Sequence, residues 1–129
     1  MHINLLISGG LYNTQAAYSA YQFAQSALAA GHTISQVFFY QDGATHGTAL
    51  SLPLSDEFNA VDAWSGIAQQ HSIPLVACIS AAERRGIVGD EQANEAGLKT
   101  KNLHSAFVIE GLGSLQQASF EADRTVTFK

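Results

Sequence analysis

The sequence predicts one α/β domain over residues 1–129, built on a mostly parallel sheet of about five strands with helices on both faces. Short apolar runs alternate along the chain with longer segments of helical periodicity. This alternation is typical of βαβ units, whose crossover helices cover both faces of a parallel sheet. Hydrophobic residues make up 47% of the chain and charged residues 13%, a balance that supplies one core and argues against disorder.

The first two elements are a buried strand and a long helix. Residues 3–8 form an apolar run that ends at Gly9 and Gly10. Apolar residues then recur three and four positions apart over 14–30, which predicts a helix, and Gly31 stands where a helix-terminating glycine belongs. The stripe expected to face the core consists of Ala16, Ala17, Ala20, Phe23, Ala24, Ala27 and Leu28.

A second strand over 33–40 leads into a long loop over 41–55, which contains glycine and proline and has no hydrophobic period. Loops of this length in a compact domain are usually functional. Ser55 or Asp56 is expected to cap a second helix. The apolar stripe of that helix consists of Phe58, Val61, Trp64 and Ala68.

A third buried strand is predicted over 73–79, with Pro74 at its start, where a strand tolerates proline. Ser80 and Glu83 match a capping box that opens a short helix, and Gly86 closes it.

The rest of the chain repeats this alternation. Another helix is predicted over 90–96, a short fourth strand over 106–109 and a terminal strand over 126–128. Ser114 and Gln117 match a second capping box and predict a helix between these two strands. In parallel α/β sheets, sites form beyond the carboxyl ends of the strands. Three segments are therefore expected to converge there, namely 9–13, 40–55 and 78–85.

Cys78 is the only cysteine, and it lies near the carboxyl end of the third strand, two residues before the expected helix cap. Helix amides and the cations of Arg84 and Arg85 would favour the thiolate, the form that attacks sulfur. Free cysteine is also among the most buried residue types, so a packed core position explains it equally well. The two arginines fit a solvated helix face, or ion pairs with Glu83 or Asp90, just as readily.

The lack of a second cysteine and of a recognisable Cys-His pairing limits the reactions that Cys78 could carry out. A single cysteine excludes dithiol exchange within the chain. A Cys-His hydrolase needs a histidine beside the thiol, and His46 is the best placed, because its loop follows the second strand at the same sheet edge. A thiolate without a base can still attack and carry sulfur, which fits the sequence best. Surface or helix-end positions are expected for His2, His32, His71 and His104.

Neither a metal nor a cofactor is expected. No HxxxH pair or second cysteine is present, and zinc normally needs three or four protein ligands. The glycines after the first strand match neither GxGxxG nor GxxxxGK[ST], and a closely packed turn explains them better.

Charge argues against nucleic acid as a direct partner, and the lengths of the apolar runs argue against a membrane. The formal net charge is −5 and no basic run is present, whereas a phosphate-backbone binder normally has a basic face. No apolar run approaches the roughly 20 residues that span a bilayer. The N-terminal segment has the pattern of a strand rather than a signal peptide. Together with the single cysteine, these features predict a cytoplasmic protein.

Five segments, spread over essentially the whole chain, carry a resemblance to a known family. They are Gly9-x-x-Tyr12-x-Thr14-Gln15, Val37-Phe38-Phe39-Tyr40, Ser55-Asp56-Glu57-Phe58, Cys78 with Ala81-Ala82-x-Arg84-Arg85-Gly86, and Gly111-Leu112-Gly113. In these segments the chain resembles the DsrE-like sulfurtransferases, and within them the cysteine-bearing subunits of a sulfur relay for tRNA 2-thiouridine synthesis. In the loop after the second strand, Thr45-His46-Gly47 stands where the family commonly has an aromatic residue and asparagines.

The resemblance implies a DsrE-like fold with flavodoxin-like layering and a persulfide on Cys78. A TusA-like carrier would donate the sulfur, and a TusE-like carrier would accept it. TusB-like and TusC-like subunits would complete a heterohexamer. Two alternatives stay open: DsrE-type sulfur transfer in oxidative sulfur metabolism, and a non-catalytic scaffold subunit whose cysteine only packs. Candidate supporting residues are Ser80, Arg84, Arg85, Tyr12 and His46.

Overall fold

The computed structural model describes all residues, 1–129, and its five strands form one sheet in which every neighbouring pair is parallel. The strands are β1 His2–Ile7, β2 Thr33–Phe39, β3 Leu75–Cys78, β4 Phe107–Glu110 and β5 Arg124–Phe128. Their order across the sheet is β4, β3, β2, β1, β5. The predicted parallel α/β fold is confirmed.

Helices cover both faces of this sheet. They are α1 Ala16–Ala29, α2 Ala60–His71, α3 Ile79–Arg84, α4 Asp90–Ala96 and α5 Leu112–Glu121. α1 and α2 pack on one face, where Ala24 and Trp64 share a core cluster with Phe39. α3 packs on the other face, where Ala81 and Ala82 cluster with Phe38. Phe38 and Phe39 are successive residues of β2, and their side chains point to opposite faces because strand side chains alternate.

The helix predicted over 14–30 is confirmed as α1. The five alanines of its predicted stripe are buried, and Phe23 and Leu28 pack, partly buried, against the same core. Gly31 has φ +87°, a left-handed conformation that ends the helix and that residues with a Cβ rarely adopt.

Three predicted helix starts are wrong. Asn59, not Ser55 or Asp56, caps α2, and its Oδ1 accepts the N–H of Asp62 at 3.1 Å. Ser80 and Ser114 are not caps either, because α3 begins at Ile79 and α5 at Leu112. Both helices start within two residues of a strand end, so the strand fixes where the helix begins and no side-chain cap is present.

The predicted loop over 41–55 begins with a 3₁₀ helix, Gln41–Gly47. This segment is partly buried because it folds back over the carboxyl end of β1. A Cβ on Gly43 would overlap the carbonyl oxygen of Ile7, so only glycine fits. A Cβ on Gly9 would overlap the side chain of Ala16. Close packing of the turns therefore accounts for these glycines, as the sequence predicts.

Candidate functional site

The three segments expected at the carboxyl edge of the sheet do converge. The N–H of Leu11, after β1, donates to Oγ1 of Thr45, after β2, at 3.1 Å. The guanidinium of Arg85, after β3, donates to Oδ1 of Asp42, after β2, from Nε at 3.0 Å and from Nη2 at 2.8 Å. The edge is thus held together by side chains from consecutive loops.

Cys78 occupies the junction between β3 and α3. It is the last residue of the strand, paired in register with Glu110 of β4, and it is also the N-cap position of the helix. Only 1% of Cys78 is exposed. It belongs to the cluster that contains Phe38, Val76 and Ala81. The thiol therefore lies at the expected edge of the sheet, but beneath the surface of the isolated chain.

One polar side chain contacts the thiol. The Sγ of Cys78 lies 3.7 Å from the Oγ of Ser80, and either atom can donate this hydrogen bond. Ser80 is itself exposed. The first amides of α3 have no acceptor within the helix, but the thiol of Cys78 makes no capping hydrogen bond to them. Ser80 thus keeps its place beside Cys78, although its predicted capping role is wrong.

The two arginines differ in their surroundings. Arg85 joins Asp42 to the C-terminal turn of α3, because its Nη1 donates to the carbonyl oxygen of Ala81 at 3.1 Å. Arg84 is exposed and makes no ion pair or side-chain hydrogen bond. The ion pairs of these arginines with Glu83 or Asp90, which the sequence left open, do not form. Asp90 pairs with Lys101 instead.

Sequence reasoning did not identify Asp42, which is the partner that holds Arg85. The available signal was its position. Asp42 follows the end of β2 as Arg85 follows the end of β3, and neighbouring parallel strands bring such residues together.

Tyr12 lies in the turn between β1 and α1 and connects it to α2. Its φ of +62° is unusual for a residue with a side chain. The Tyr12 hydroxyl donates to the carbonyl oxygen of Phe58 at 2.9 Å and accepts the N–H of Ala60 at 3.3 Å. Both hydrogen bonds fix the start of α2, and neither involves Cys78.

His46 is buried and stacks on the ring of Phe39, with centroids 4.9 Å apart. Its Nδ1 lies 2.8 Å from the carbonyl oxygen of Gly43, so Nδ1 carries the proton and Nε2 is left without a partner. Burial lowers the pKa of His46 from 6.5 to about 4, and the bond to Gly43 opposes this shift. Since Cys78 clusters with Phe38 on the other face, the structure does not bring the histidine to the thiol.

No three His, Cys, Asp or Glu side chains are grouped so that they could hold a metal ion. The α-helices are likewise too short or too polar to cross a bilayer.

Fold and site together define a small parallel α/β protein with one thiol at the carboxyl edge of its sheet. Residues 1–128 match the model of the DsrE/DsrF-like family, and the chain belongs to that family. The resemblance found in the sequence is thereby confirmed.

Named relatives share nearly the full length of the chain. It is 50% identical over 124 residues to a protein named "Sulfurtransferase TusD homolog" from Vibrio parahaemolyticus, covering 96% of this chain and 95% of the relative. It is 46% identical over 124 residues to "Sulfurtransferase TusD" from Serratia proteamaculans, covering 96% of each. These similarities support a role in sulfur transfer.

A solved structure shares the fold. The crystal structure of the ychN protein from E. coli superposes with a TM-score of 0.76, covering 99% of this chain and 100% of the other, at 19% identity. At that identity the match concerns the fold alone.

Proposed function

We propose that this chain is a sulfurtransferase subunit that accepts sulfur as a persulfide on Cys78 and passes it to another protein. The observation that carries the proposal is the position of Cys78. The only thiol of the chain lies on the last residue of β3, which is also the N-cap of α3, and contacts Ser80 at 3.7 Å. Similarity to proteins named sulfurtransferases supports the same assignment.

The transfer is an exchange between sulfur atoms. The Cys78 thiolate attacks the terminal sulfur of a donor persulfide, and a new S–S bond forms as the donor's S–S bond breaks. The donor leaves as a thiolate, which takes up a proton. In the second step an acceptor thiolate attacks the terminal sulfur on Cys78 in the same way, and the Cys78 thiolate is regenerated. No electrons are gained or lost overall, so no redox cofactor is required.

Ser80 would stabilise the anionic sulfur, because its hydroxyl can donate to the thiol. The first amides of α3 would add partial positive charge at the start of the helix. Arg84, the last residue of α3 and six positions after Cys78, is an unpaired cation and would add positive potential. Arg85 acts as a positioning residue, since its guanidinium is engaged by Asp42 and Ala81. His46 and Tyr12 contribute to the packing of the edge.

Burial of Cys78 adds a requirement to this mechanism. A donor persulfide cannot reach a residue that is 1% exposed, so the junction of β3 and α3 must open when the donor binds. α3 is only six residues long, and its first two residues, Ile79 and Ser80, are exposed. A short helix with an exposed start is suited to local opening.

We assign the chain to a relay for tRNA 2-thiouridine synthesis in the cytoplasm, with a TusA-like donor and a TusE-like acceptor. TusB-like and TusC-like subunits would assemble with it as a heterohexamer. The TusD names of the relatives support this pathway over sulfur oxidation. A second candidate, a scaffold subunit with an inert cysteine, is favoured by the burial of Cys78.

Intact-mass measurement after incubation with a persulfide donor separates these functions. The carrier proposal expects one added sulfur, about 32 Da, that is removed by reductant and absent in Cys78→Ser. Ser26→Ala, at an exposed position of α1 that leaves the thiol untouched, should load like the unchanged chain. If the chain stays unmodified even when assembled with TusB-like and TusC-like subunits, the scaffold function is correct instead.

A further inference from the structure

A small pocket at the carboxyl edge of the sheet is lined by three aromatic rings and one carboxylate. It lies where the turn between β1 and α1 meets the segment before α2, and its volume is about 320 Å³. The rings are those of Tyr12, Tyr18 and Phe58, and the carboxylate is that of Glu57. The transfer of sulfur on Cys78 uses none of these four side chains.

The aromatic walls of the pocket are held in place by contacts within the chain. The Tyr12 hydroxyl bonds to the backbone of Phe58 and of Ala60. Tyr18 packs against Phe58 in a T-shaped arrangement, with ring centroids 5.2 Å apart. Tyr12 and Tyr18 are nonetheless 46% and 47% exposed, so both offer surface to a ligand. The pocket is therefore preformed, which lowers the entropic cost of filling it.

Glu57 has no lysine or arginine to pair with inside the chain. All six lysine and arginine residues lie at position 84 or beyond, and the two ion pairs of the structure use Asp42 and Asp90. One carboxylate oxygen of Glu57 accepts the N–H of Leu54 at 2.8 Å. The other oxygen makes no hydrogen bond within the chain. The pocket thus contains a negative charge that the chain itself does not neutralise.

The charges around the pocket favour a cation over an anion as its ligand. The N-terminus of α1 borders the pocket, and a helix end is equivalent to about half a positive charge. Asp56 and Glu57 are both exposed and together carry two negative charges, which outweigh that half charge. Aromatic rings attract cations as well, so the rings and the carboxylate select the same kind of ligand.

The size of the pocket suits a single side chain. Small-molecule and cofactor pockets usually enclose about 300–1,000 Å³, and this pocket lies at the lower limit of that range. A guanidinium or an alkylammonium group pairs with a carboxylate and packs on aromatic rings. Free arginine or lysine would also bring an α-carboxylate, which Asp56 and Glu57 repel. A side chain within a protein brings the cation without that carboxylate.

We propose that this pocket receives a lysine or arginine side chain of a protein that docks on the carboxyl edge of the sheet. Cys78 is the last residue of β3 and lies at the same edge. The docking protein is therefore one that exchanges sulfur with Cys78, and in this respect the proposal rests on the proposed function. The cation pairs with the free oxygen of Glu57 between the rings, and this contact orients the docking protein on the edge.

Binding of a small cationic probe to the full chain tests the pocket itself. Nα-acetylarginine methylamide carries a guanidinium group and no carboxylate, and the citrulline analogue is its uncharged counterpart. In an NMR titration up to about 20 mM, the arginine probe should shift the ring protons of Tyr12, Tyr18 and Phe58. The citrulline analogue should leave them in place. Equal binding of the two probes, or binding of neither, overturns the proposal.

Variants identify the groups that hold the probe. Glu57→Gln keeps an oxygen for the N–H of Leu54 but removes the charge, so it should weaken binding of the arginine probe about fivefold. Glu95→Gln, at an exposed position of α4, is the matched control. Tyr18→Leu should weaken binding as well, whereas Tyr18→Phe keeps the ring and should bind like the unchanged chain. If Glu57→Gln binds the probe as tightly as Glu95→Gln does, the proposal is wrong.

Sulfur transfer by the chain assembled with TusB-like and TusC-like subunits tests the docking of a protein. The measured quantity is the rate of transfer from a TusA-like donor, or to a TusE-like acceptor, divided by the rate with a small persulfide or a small thiol. For at least one protein this ratio should fall about tenfold in both Glu57→Gln and Tyr18→Leu, and high salt should reduce the difference for Glu57→Gln.

The same measurements separate failure of the docking proposal from failure of the proposed function. If the assembled, unchanged chain takes up no sulfur even from a small persulfide, the proposed function is wrong, and the docking of a sulfur partner is overturned with it. If sulfur is transferred but both ratios stay unchanged in the two variants, only the docking proposal is overturned. Loss of assembly in Glu57→Gln would also overturn it, because the pocket would then be a contact between subunits.

Discussion

The Sγ of Cys78 lies 3.7 Å from the Oγ of Ser80, and the two residues differ sharply in exposure. The cysteine is buried, whereas the serine reaches solvent. The Ser80 hydroxyl therefore lies between solvent and the buried thiol, on the side from which a sulfur donor approaches. Access and thiolate stabilisation are thus both determined at the first turn of α3.

Burial predicts slow labelling of Cys78 in the native chain. We expect a bulky thiol reagent to react about a hundredfold more slowly than with the denatured chain, because reaction requires local opening. The control is Cys78→Ser combined with Ser80→Cys, which moves the thiol to an exposed position and should label rapidly. Equal rates for native and denatured chains would contradict a buried thiol.

Removing the hydroxyl of Ser80 should slow sulfur loading without unfolding the chain. Ser80→Ala deletes one hydrogen bond to the thiol, worth about 1 kcal/mol, so persulfide formation should fall about fivefold. The free energy of unfolding should change by less than about 0.5 kcal/mol, since the side chain is exposed. Ser26→Ala, an exposed serine of α1, is the control. Loading of Ser80→Ala at the unchanged rate would remove Ser80 from the mechanism.

The ion pair between Asp42 and Arg85 should contribute modestly to stability. The Arg85 side chain is 29% exposed and that of Asp42 is 61% exposed, so we expect Asp42→Asn to cost about 0.5–1 kcal/mol in urea unfolding. High salt should reduce this cost. Asp90→Asn, which breaks a pair with side chains 56% and 76% exposed, should cost less. A larger effect of Asp90→Asn would show that exposure does not rank these pairs.

His46 should make the fold less stable in mild acid. Its pKa is about 4 in the folded chain and 6.5 when exposed, so folding disfavours the protonated form. The contribution of neutral His46 to the free energy of unfolding is therefore fully present above pH 6.5. It declines as the pH falls toward 4, by about 3 kcal/mol in total. His46→Gln should lose this part of the pH dependence, whereas His71→Gln, on the surface, should keep it. If the free energy of unfolding falls equally from pH 7.5 to 4 in the unchanged chain and in His46→Gln, His46 does not cause the loss of stability in acid.

The sequence was informative where a local pattern decides the structure. The three- and four-residue spacing predicted α1, and two glycines marked the ends of helices, Gly31 and Gly86, both of which have positive φ in the structure. Helix starts were less predictable. Ser55, Asp56 and Asn59 are all good caps, and only the path of the chain toward α2 selects Asn59.

The site was predictable in position but not in environment. Strand order and connectivity place Cys78 at the carboxyl edge, which the sequence pattern indicates. Burial of the thiol depends on residues far apart in the sequence, such as Phe38 and Ile87. The folding back of the 3₁₀ helix, which buries His46, likewise depends on tertiary packing against Phe39. The burial of Cys78 and of His46 therefore cannot be predicted from the residues next to them in the sequence.

The pairing of β1 with β5 has a consequence during synthesis. Residues Ile3 to Ile7 pair with Arg124 to Phe128, whereas β2 follows β1 after a single helix. One edge of an apolar strand thus finds its partner early, and its other edge waits until β5 has left the ribosome. An unpaired apolar edge is a template for pairing with another chain. The nascent protein therefore presents an unpaired apolar strand edge until β5 has been made.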